Sequence, residues 1–290
     1  MFDSPEARTF ENAPVATVTG DLAGPSPDDL ARMIAAAPTD FALYFDVDGT
    51  LVDIAETPEQ AAAPAELAGD LVMLQQRLGG AVAVVTGRRL ADVEMLLAPA
   101  RLAGSGMHGL EFQFPAVQQA DFDDREGASL GASRHVEPDR RLPTTLVDGV
   151  ARLAASIPGL RLEQKGPILT IHYRQVPTAG NRIAAALAVL LADHGEGYHL
   201  KPGRAVVELI PNGTSKGTAM ARLLAMPPFA GRRPIMLGDD RADEDAFVVA
   251  RAAGGFGLRV AGEHFNRGDE PFRGAAHVRA WIAMLNGRLA

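Results

Sequence analysis

The sequence predicts an α/β protein, a doubly wound parallel-sheet core interrupted by an inserted α+β piece. Short apolar runs (FALYFDV at 41–47, AVAVVTG at 81–87, PIML at 234–237) alternate with helix-periodic segments, the texture of strands buried on both faces. Between about 113 and 209 the texture changes, and ILTIHYRQV at 168–176 alternates apolar with polar residues, as a strand with one wet face does. From Ser215 the first texture returns.

Residues 1–38 read as a peripheral N-terminal extension. Positions 1–25 mix Pro, Gly, Ser and polar residues without periodicity, and Ser26-Pro27-Asp28-Asp29 supplies the N-cap, proline and first-turn acids of a short helix. The core is expected over 39–112 and 210–290. FALYF is a buried strand running into Asp-Gly-Thr, ELAGDLVMLQQRLG a helix, AVAVV a second strand, RLADVEMLLAP a helix, and RLAGSG a third strand and turn. The inserted cap is expected over 113–209. It opens with a Pro-, Gly- and charge-rich connector at 115–141, followed by the helix TTLVDGVARLAASI, alternating strands, the amphipathic helix GNRIAAALAVLLADHG and the hairpin YHLKPGRAVVELI. SKGTAMARLLA, DEDAFVVARAAG and HVRAWIAMLNGRL then read as helices around the strands RPIML and GFGLRV, with Trp281 on an apolar helix face.

At 290 residues, with 47% hydrophobic and 22% charged side chains, the chain is long and apolar enough for a sizeable core. It has no cysteine, which excludes disulfides, thiolate metal sites and cysteine nucleophiles. The net charge of −8 argues against nucleic-acid or anionic-membrane partners, and taken alone it also weighs against a phosphorylated substrate. No apolar run of about 18 residues is present, and the acidic, polar start lacks signal-peptide character, so a cytoplasmic protein is expected.

The strongest chemical signal is FDVDGTL at 45–51. Asp46 and Asp48 lie two apart at the end of a buried strand, on one side of it, where open α/β sheets bind ligands. A turn or helix-cap acid pair is the plain reading of Asp-Gly alone, but it accounts poorly for DVDGTL placed directly after an apolar strand. A second acidic run, GDDRADED at 238–245, follows another strand and brings Asp239, Asp240 and Asp243. Such a run is ordinarily a solvated face. Two acid clusters at two strand ends would instead repel each other unless a divalent cation sat between them, and an all-oxygen ligand set favours Mg2+. Thr86 ends another strand, and Lys216 opens a helix whose N-terminus suits an anion. NGTSKGT is not a Walker loop, because no Gly immediately precedes its Lys.

In this order the Asp–Asp, Thr, Lys and Asp–Asp signals resemble the four motifs of haloacid-dehalogenase-type phosphohydrolases over residues 41–258. The resemblance implies a Rossmann-like core with a C2-type cap. It also implies Asp46 as nucleophile and Mg2+ ligand, and Asp48 as acid/base and carbonyl ligand. Thr86 and Lys216 would hold the phosphoryl group, Asp239 would complete the metal set, and Asp240 and Asp243 are its further candidates. GMHGLE (106–111), EQKGPILTIHYR (163–174), ELIPNGTSKG (208–217) and GDDRADEDAF (238–247) are similar to the motifs of the trehalose-6-phosphate phosphatase family, with Ala242 where that family often has Thr. This implies Glu163, Lys165 and Glu208 as contacts to the sugar hydroxyls of trehalose 6-phosphate, with Arg88, His108 and Glu111 near the core–cap cleft. A phosphatase for another sugar phosphate (of sucrose or mannosylglycerate) and a non-catalytic sugar-phosphate sensor are the competing expectations. The remaining histidines (His135, His194, His199, His264, His277) show no metal spacing and read as structural or surface residues.

Overall fold

The structure, a computed structural model, describes residues 24–55, 57, 60–114, 133–136, 142–203, 205–262, 264–265, 268 and 270–290. In chain order its elements begin with α1 (Pro27–Ala36), β1 (Phe41–Phe45), α2 (Ala65–Arg77), β2 (Val82–Val85), α3 (Leu90–Leu96), β3 (Ala103–Gly106), β4 (Glu111–Phe114) and β5 (Ser133–Val136). There follow α4 (Thr144–Ser156), β6 (Arg161–Lys165), β7 (Ile168–His172), α5 (Gly180–His194), β8 (Tyr198–Gly203) and β9 (Val206–Pro211). The chain closes with α6 (Lys216–Leu224), β10 (Arg233–Gly238), α7 (Glu244–Ala252), β11 (Phe256–Arg259) and α8 (Ala275–Arg288).

A seven-stranded sheet runs β11-β10-β1-β2-β3-β4-β5. It is parallel from β11 to β3 and closes with β4 and β5 antiparallel. β1 is buried along its whole length, and its period of two sorts the side chains into two layers. Phe41, Leu43 and Phe45 face α1, α2, α3 and α8, whereas Ala42 and Tyr44 face α6 and α7. Because β1 lies between β10 and β2, the chain leaves it on one side and returns on the other. The carboxyl end of β1 is therefore the switch point where a crevice opens.

A separate antiparallel sheet, β6-β7-β9-β8, packs one face on α4 and α5. Leu169, Ile171, Val207 and Leu209 meet Leu146, Val150, Ile183 and Leu187 there. The alternate residues turn toward the larger sheet's carboxyl edge, as the alternation in the sequence implies.

Two expected boundaries need correction. The changeover at 113 falls inside the larger sheet, because Glu111–Phe114 pairs with β3 and Ser133–Val136 pairs with β4. Backbone pairing keeps this stretch on the core although its composition resembles a connector; residues 115–132 and 137–141 of that connector lie outside the described residues. Residues 26–38 are not peripheral. Ser26 caps α1 by accepting from Asp29 N, Leu30, Ala31 and Ile34 are fully buried, and Trp281 Nε1 donates to Pro27 O at 2.8 Å. Residues 1–23 lie outside the described residues. Among the described residues no helix is long and apolar enough to cross a membrane.

If α1 is integral to the core, Leu30→Ala should lower unfolding free energy by about 2–5 kcal/mol in denaturant titration, the range for a buried Leu truncation. A loss under about 0.5 kcal/mol would return α1 to the periphery.

Candidate active site

β1 delivers Asp46 to the switch point, and the backbone turns at once. Gly49 has φ +78°, and a Cβ there would sit 2.0 Å from Asp239 Oδ2, so the position requires glycine for both backbone freedom and space. β10 ends in Gly238 and places Asp239 beside this turn, and the 3-10 turn that follows returns Asp243 to the same point. Carboxylate oxygens of Asp46, Asp239 and Asp243 lie within 4.8 Å of one another, and all three residues are buried. Ser215 caps α6 in a capping box with Thr218, which places Lys216 at the first helical position. Its Nζ lies 2.8 Å from Asp46 Oδ1 and 2.7 Å from Asp243 Oδ1.

One ammonium among three carboxylates leaves an excess of negative charge in a buried place. Burial pushes Asp46 up to about 7, with Lys216 opposing and Asp243 adding to the rise. Burial likewise pushes Asp239 up to about 8, reinforced by Asp46 and Asp243. Burial disfavours the Lys216 charge, but Asp243 and Asp46 outweigh it and hold the ammonium protonated. Asp239 Oδ1 is buried without a hydrogen-bond partner. An unpartnered buried oxygen beside two more carboxylates, in an all-oxygen donor set, fits a hard divalent cation such as Mg2+. The residues that could hold it are Asp46, Asp239 and Asp243.

Asp240 does not join that group. Its Oδ1 accepts from Arg241 N at 2.6 Å and lies 3.1 Å from His264 Nδ1, so its carboxylate caps the 3-10 turn and pairs with a histidine. Asp48 faces the cleft in a two-point pair with Arg88, whose Nε and Nη2 each reach a carboxylate oxygen at 2.6 Å. Thr86 is buried at the end of β2, with its Oγ1 accepting from Arg88 N.

These groups line one wall of a cleft of about 1300 Å3, and the free face of the cap sheet forms the other. Glu163, Lys165 and Glu208 all reach the cleft from that sheet. Glu163 Oε2 pairs with His172 Nε2 at 2.9 Å and Oε1 with Lys165 Nζ at 3.3 Å. The His172 hydrogen bond and Lys165 overcome partial burial and hold Glu163 at about 2. Burial would raise Glu208, but His108, Lys201 and Lys165 outweigh it and hold this carboxyl also at about 2. Both acids are therefore ionised acceptors at neutral pH.

Glu111 needs correction. It does not line the cleft; it is buried, and its Oε2 accepts from Leu90 N at 2.7 Å, capping the start of α3. Its carboxylate holds the turn into α3, next to the loop that carries Arg88. His108 does line the cleft. Sequence reasoning missed Lys201 and Thr170, and it set His264 aside although that ring lines the cleft too. Lys201 and Thr170 face Glu208 directly across the sheet, a signal that only the strand register reveals.

A parallel sheet, an inserted cap and a carboxylate–lysine centre beyond β1 define a hydrolase of the haloacid dehalogenase-like class. The family model for trehalose-phosphatase matches residues 44–276, and the chain belongs to that family. A probable trehalose-phosphate phosphatase of Sinorhizobium fredii is 35% identical over 239 residues, covering 80% of this chain and 82% of the relative. The trehalose-6-phosphate phosphatase of Escherichia coli is 30% identical over 257 residues, covering 86% of this chain and 88% of the relative. The solved C-terminal domain of a Candida albicans trehalose-6-phosphate phosphatase shares the fold at TM-score 0.72, with 20% identity and coverage of 92% of this chain and 99% of its own.

The raised Asp46 and Asp239 carboxyls keep protons that the unfolded chain, with carboxyls near 3.8, has already lost. With divalent cations chelated, stability should therefore fall as pH rises from about 5 through about 8. Thermal melts in chelator at several pH values check this, and excess Mg2+ should flatten the decline. A melting temperature that rises across the window without metal would contradict the buried charge excess.

Proposed function

We propose that the chain hydrolyses trehalose 6-phosphate to trehalose and phosphate through a phosphoryl-Asp46 intermediate. The observation that supports it most is the facing of two walls in one cleft. The Asp46–Lys216 centre lies on the core wall, and the ionised Glu163 and Glu208 with Lys165 lie on the cap wall. A sugar phosphate has the matching two ends, an anion and a set of hydroxyls.

In the first step an Asp46 oxygen attacks phosphorus. The new O–P bond forms as the bond to the sugar oxygen breaks, and Asp48 gives that oxygen its proton. In the second step water attacks the same phosphorus, Asp48 takes a proton from the water, and the Asp46–phosphorus bond breaks to release phosphate. Lys216 and Thr86 hold the equatorial oxygens, where negative charge is spread in the transition state. Asp46, Asp239 and Asp243 would hold Mg2+, which when bound supplies the positive charge that offsets repulsion between carboxylate and phosphoryl group. Arg88, which engages both Asp48 oxygens, must release that carboxyl for it to carry the proton. Glu163 and Glu208 accept from sugar hydroxyls, and Lys165 donates to them. Closing the cap over the bound sugar excludes bulk water during the attack.

Phosphate release across trehalose 6-phosphate, sucrose 6-phosphate, mannosylglycerate phosphate and glucose 6-phosphate, each with and without Mg2+, tests this reading. The expected result is Mg2+-dependent release from trehalose 6-phosphate well above the rest. Equal turnover of sucrose 6-phosphate would remove the narrow substrate reading. Asp46→Asn should reduce turnover by at least about a thousandfold with melting behaviour retained, and retained activity would sink the covalent route. Replacing Glu163 by Gln or Lys165 by Met should raise KM for trehalose 6-phosphate by about tenfold, with much less effect on p-nitrophenyl phosphate.

A further inference from the structure

The polar row on the cap sheet continues past the acids discussed above. Its register pairs Glu163 with Thr170, Thr170 with Glu208, and Glu208 with Lys201, so these four side chains share the cleft face. From the core wall a single ring enters this row. His108 Nε2 lies 2.9 Å from Glu208 Oε2, and Lys201 Nζ lies 3.1 Å from His108 Nδ1. Thr170 Oγ1 donates to the other Glu208 oxygen at 3.2 Å.

The donor inventory settles who gives to whom. Burial and Lys216 lower the Lys201 pKa while Glu208 opposes them; as an ammonium Lys201 can only donate, so His108 Nδ1 accepts and the ring proton sits on Nε2. Nε2–H then donates to Glu208. A second ring proton would point at the ammonium, and burial, with Lys201 and Lys216 beside it, outweighs the pull of Glu208 and disfavours the charged imidazole. With the proton on Nδ1 instead, the Nε2 lone pair would face a carboxylate oxygen. Each Glu208 oxygen thus receives one donor from the protein and keeps lone-pair capacity toward the cleft it lines.

We propose that Lys201 is a positioning residue for sugar recognition, fixing His108 as the neutral Nε2–H tautomer that holds Glu208 as an acceptor for a substrate hydroxyl. The proposal rests on the reading of Glu208 as a sugar contact given above. His108 belongs to the core, while Lys201, Thr170 and Glu208 belong to the cap, so the relay assembles only where the two meet. The backbone of the turn is consistent with such a built junction. Met107 and His108 hold φ of +49° and +55°, an uncommon region for residues other than glycine. The His108 ring packs against Gly87, where a Cβ would come within 2.7 Å of it. Beside it Met107 and Leu110 of the core pack on Ile168 and Ile210 of the cap.

The test uses the full chain with Mg2+, the variants K201M, H108Q and E208Q, and the double variant H108Q/K201M. In wild type, nitrogen-15 imidazole spectra at about pH 7.5 should show His108, assigned by its loss in H108Q, as a neutral ring protonated on Nε2. In K201M the same ring should become a tautomer mixture. A wild-type ring protonated on Nδ1, or on both nitrogens, overturns the relay whatever the kinetics. K201M should raise KM for trehalose 6-phosphate by about tenfold, with a smaller change in kcat. A glutamine amide can donate from the Nε2 position without a tautomer to choose, so adding K201M to H108Q should cost less than about a further twofold. Independent, multiplying losses would instead make Lys201 a direct sugar ligand and overturn its positioning role. An unchanged KM in E208Q would strike the reading of Glu208 as a sugar contact and leave the spectra to decide the relay.

Discussion

The structure is organised around a charge conflict, with three buried carboxylates converging on one ammonium at the end of β1. Carboxylates brought together out of water repel, and each loses hydration it cannot recover from hydrogen bonds alone. Lys216 answers only part of this, and Asp239 keeps a buried oxygen without a partner. Much local geometry follows from keeping the groups this close. Gly49 clears Asp239, and a Cβ at Gly238 would come within 2.2 Å of Asp243 Cγ. The capping boxes at Ser215 and Asp240 hold the two helical turns that carry Lys216 and Asp243. A cluster so costly for stability makes sense as a site that completes itself with a cation and then acts on an anion.

The second organising rule is the period of two. On β1 it divides aromatic and aliphatic side chains between two helix layers. On β6, β7 and β9 it sends aliphatic residues to α4 and α5 and leaves Glu163, Lys165, His172 and Glu208 for the cleft. The same alternation builds the cap's small core and its cleft-facing surface, so a one-residue slip in register would exchange them.

That periodicity is why so much was legible in the sequence. Buried parallel strands read as continuous apolar runs, and the cap strands read as alternation, so the architecture and the approach of the two acid clusters follow from pattern and strand ends. The place of Lys216 beside them comes with the resemblance to the phosphohydrolase motifs, and the choice between Asp240 and Asp243 stays open in the sequence. What pattern could not show was pairing across distance. β4 and β5 look like connector because an antiparallel edge needs little aliphatic content to hydrogen-bond to its neighbour. α1 looks peripheral because its poorly periodic flank hides the fact that Leu30 and Ile34 fill a gap beside Trp281. The sequence sets Glu111 and Asp240 beside site residues only by proximity along the chain. In space Glu111 caps α3, and Asp240 turns to Arg241 N and His264. Lys201 stayed invisible because nothing about KPG marks it until β8 and β9 pair and set it opposite Glu208.

The net charge of −8, read as a global quantity, weighs against a phosphorylated ligand. The local field decides differently. At the proposed phosphate end of the cleft the relevant charges are the protonated Lys216, the N-terminus of α6 and any cation held by Asp46, Asp239 and Asp243. At the proposed sugar end two ionised glutamates are each pinned by a histidine and supported by nearby lysines. An anion entering in the reverse orientation would meet Glu163 and Glu208 and be repelled, while hydroxyls facing Lys216 would leave its charge unanswered. On the proposed reading a few carboxylates set the orientation, because Glu163 and Glu208 lie where a phosphate is disfavoured and Asp46, Asp239 and Asp243 lie where a cation would cover them.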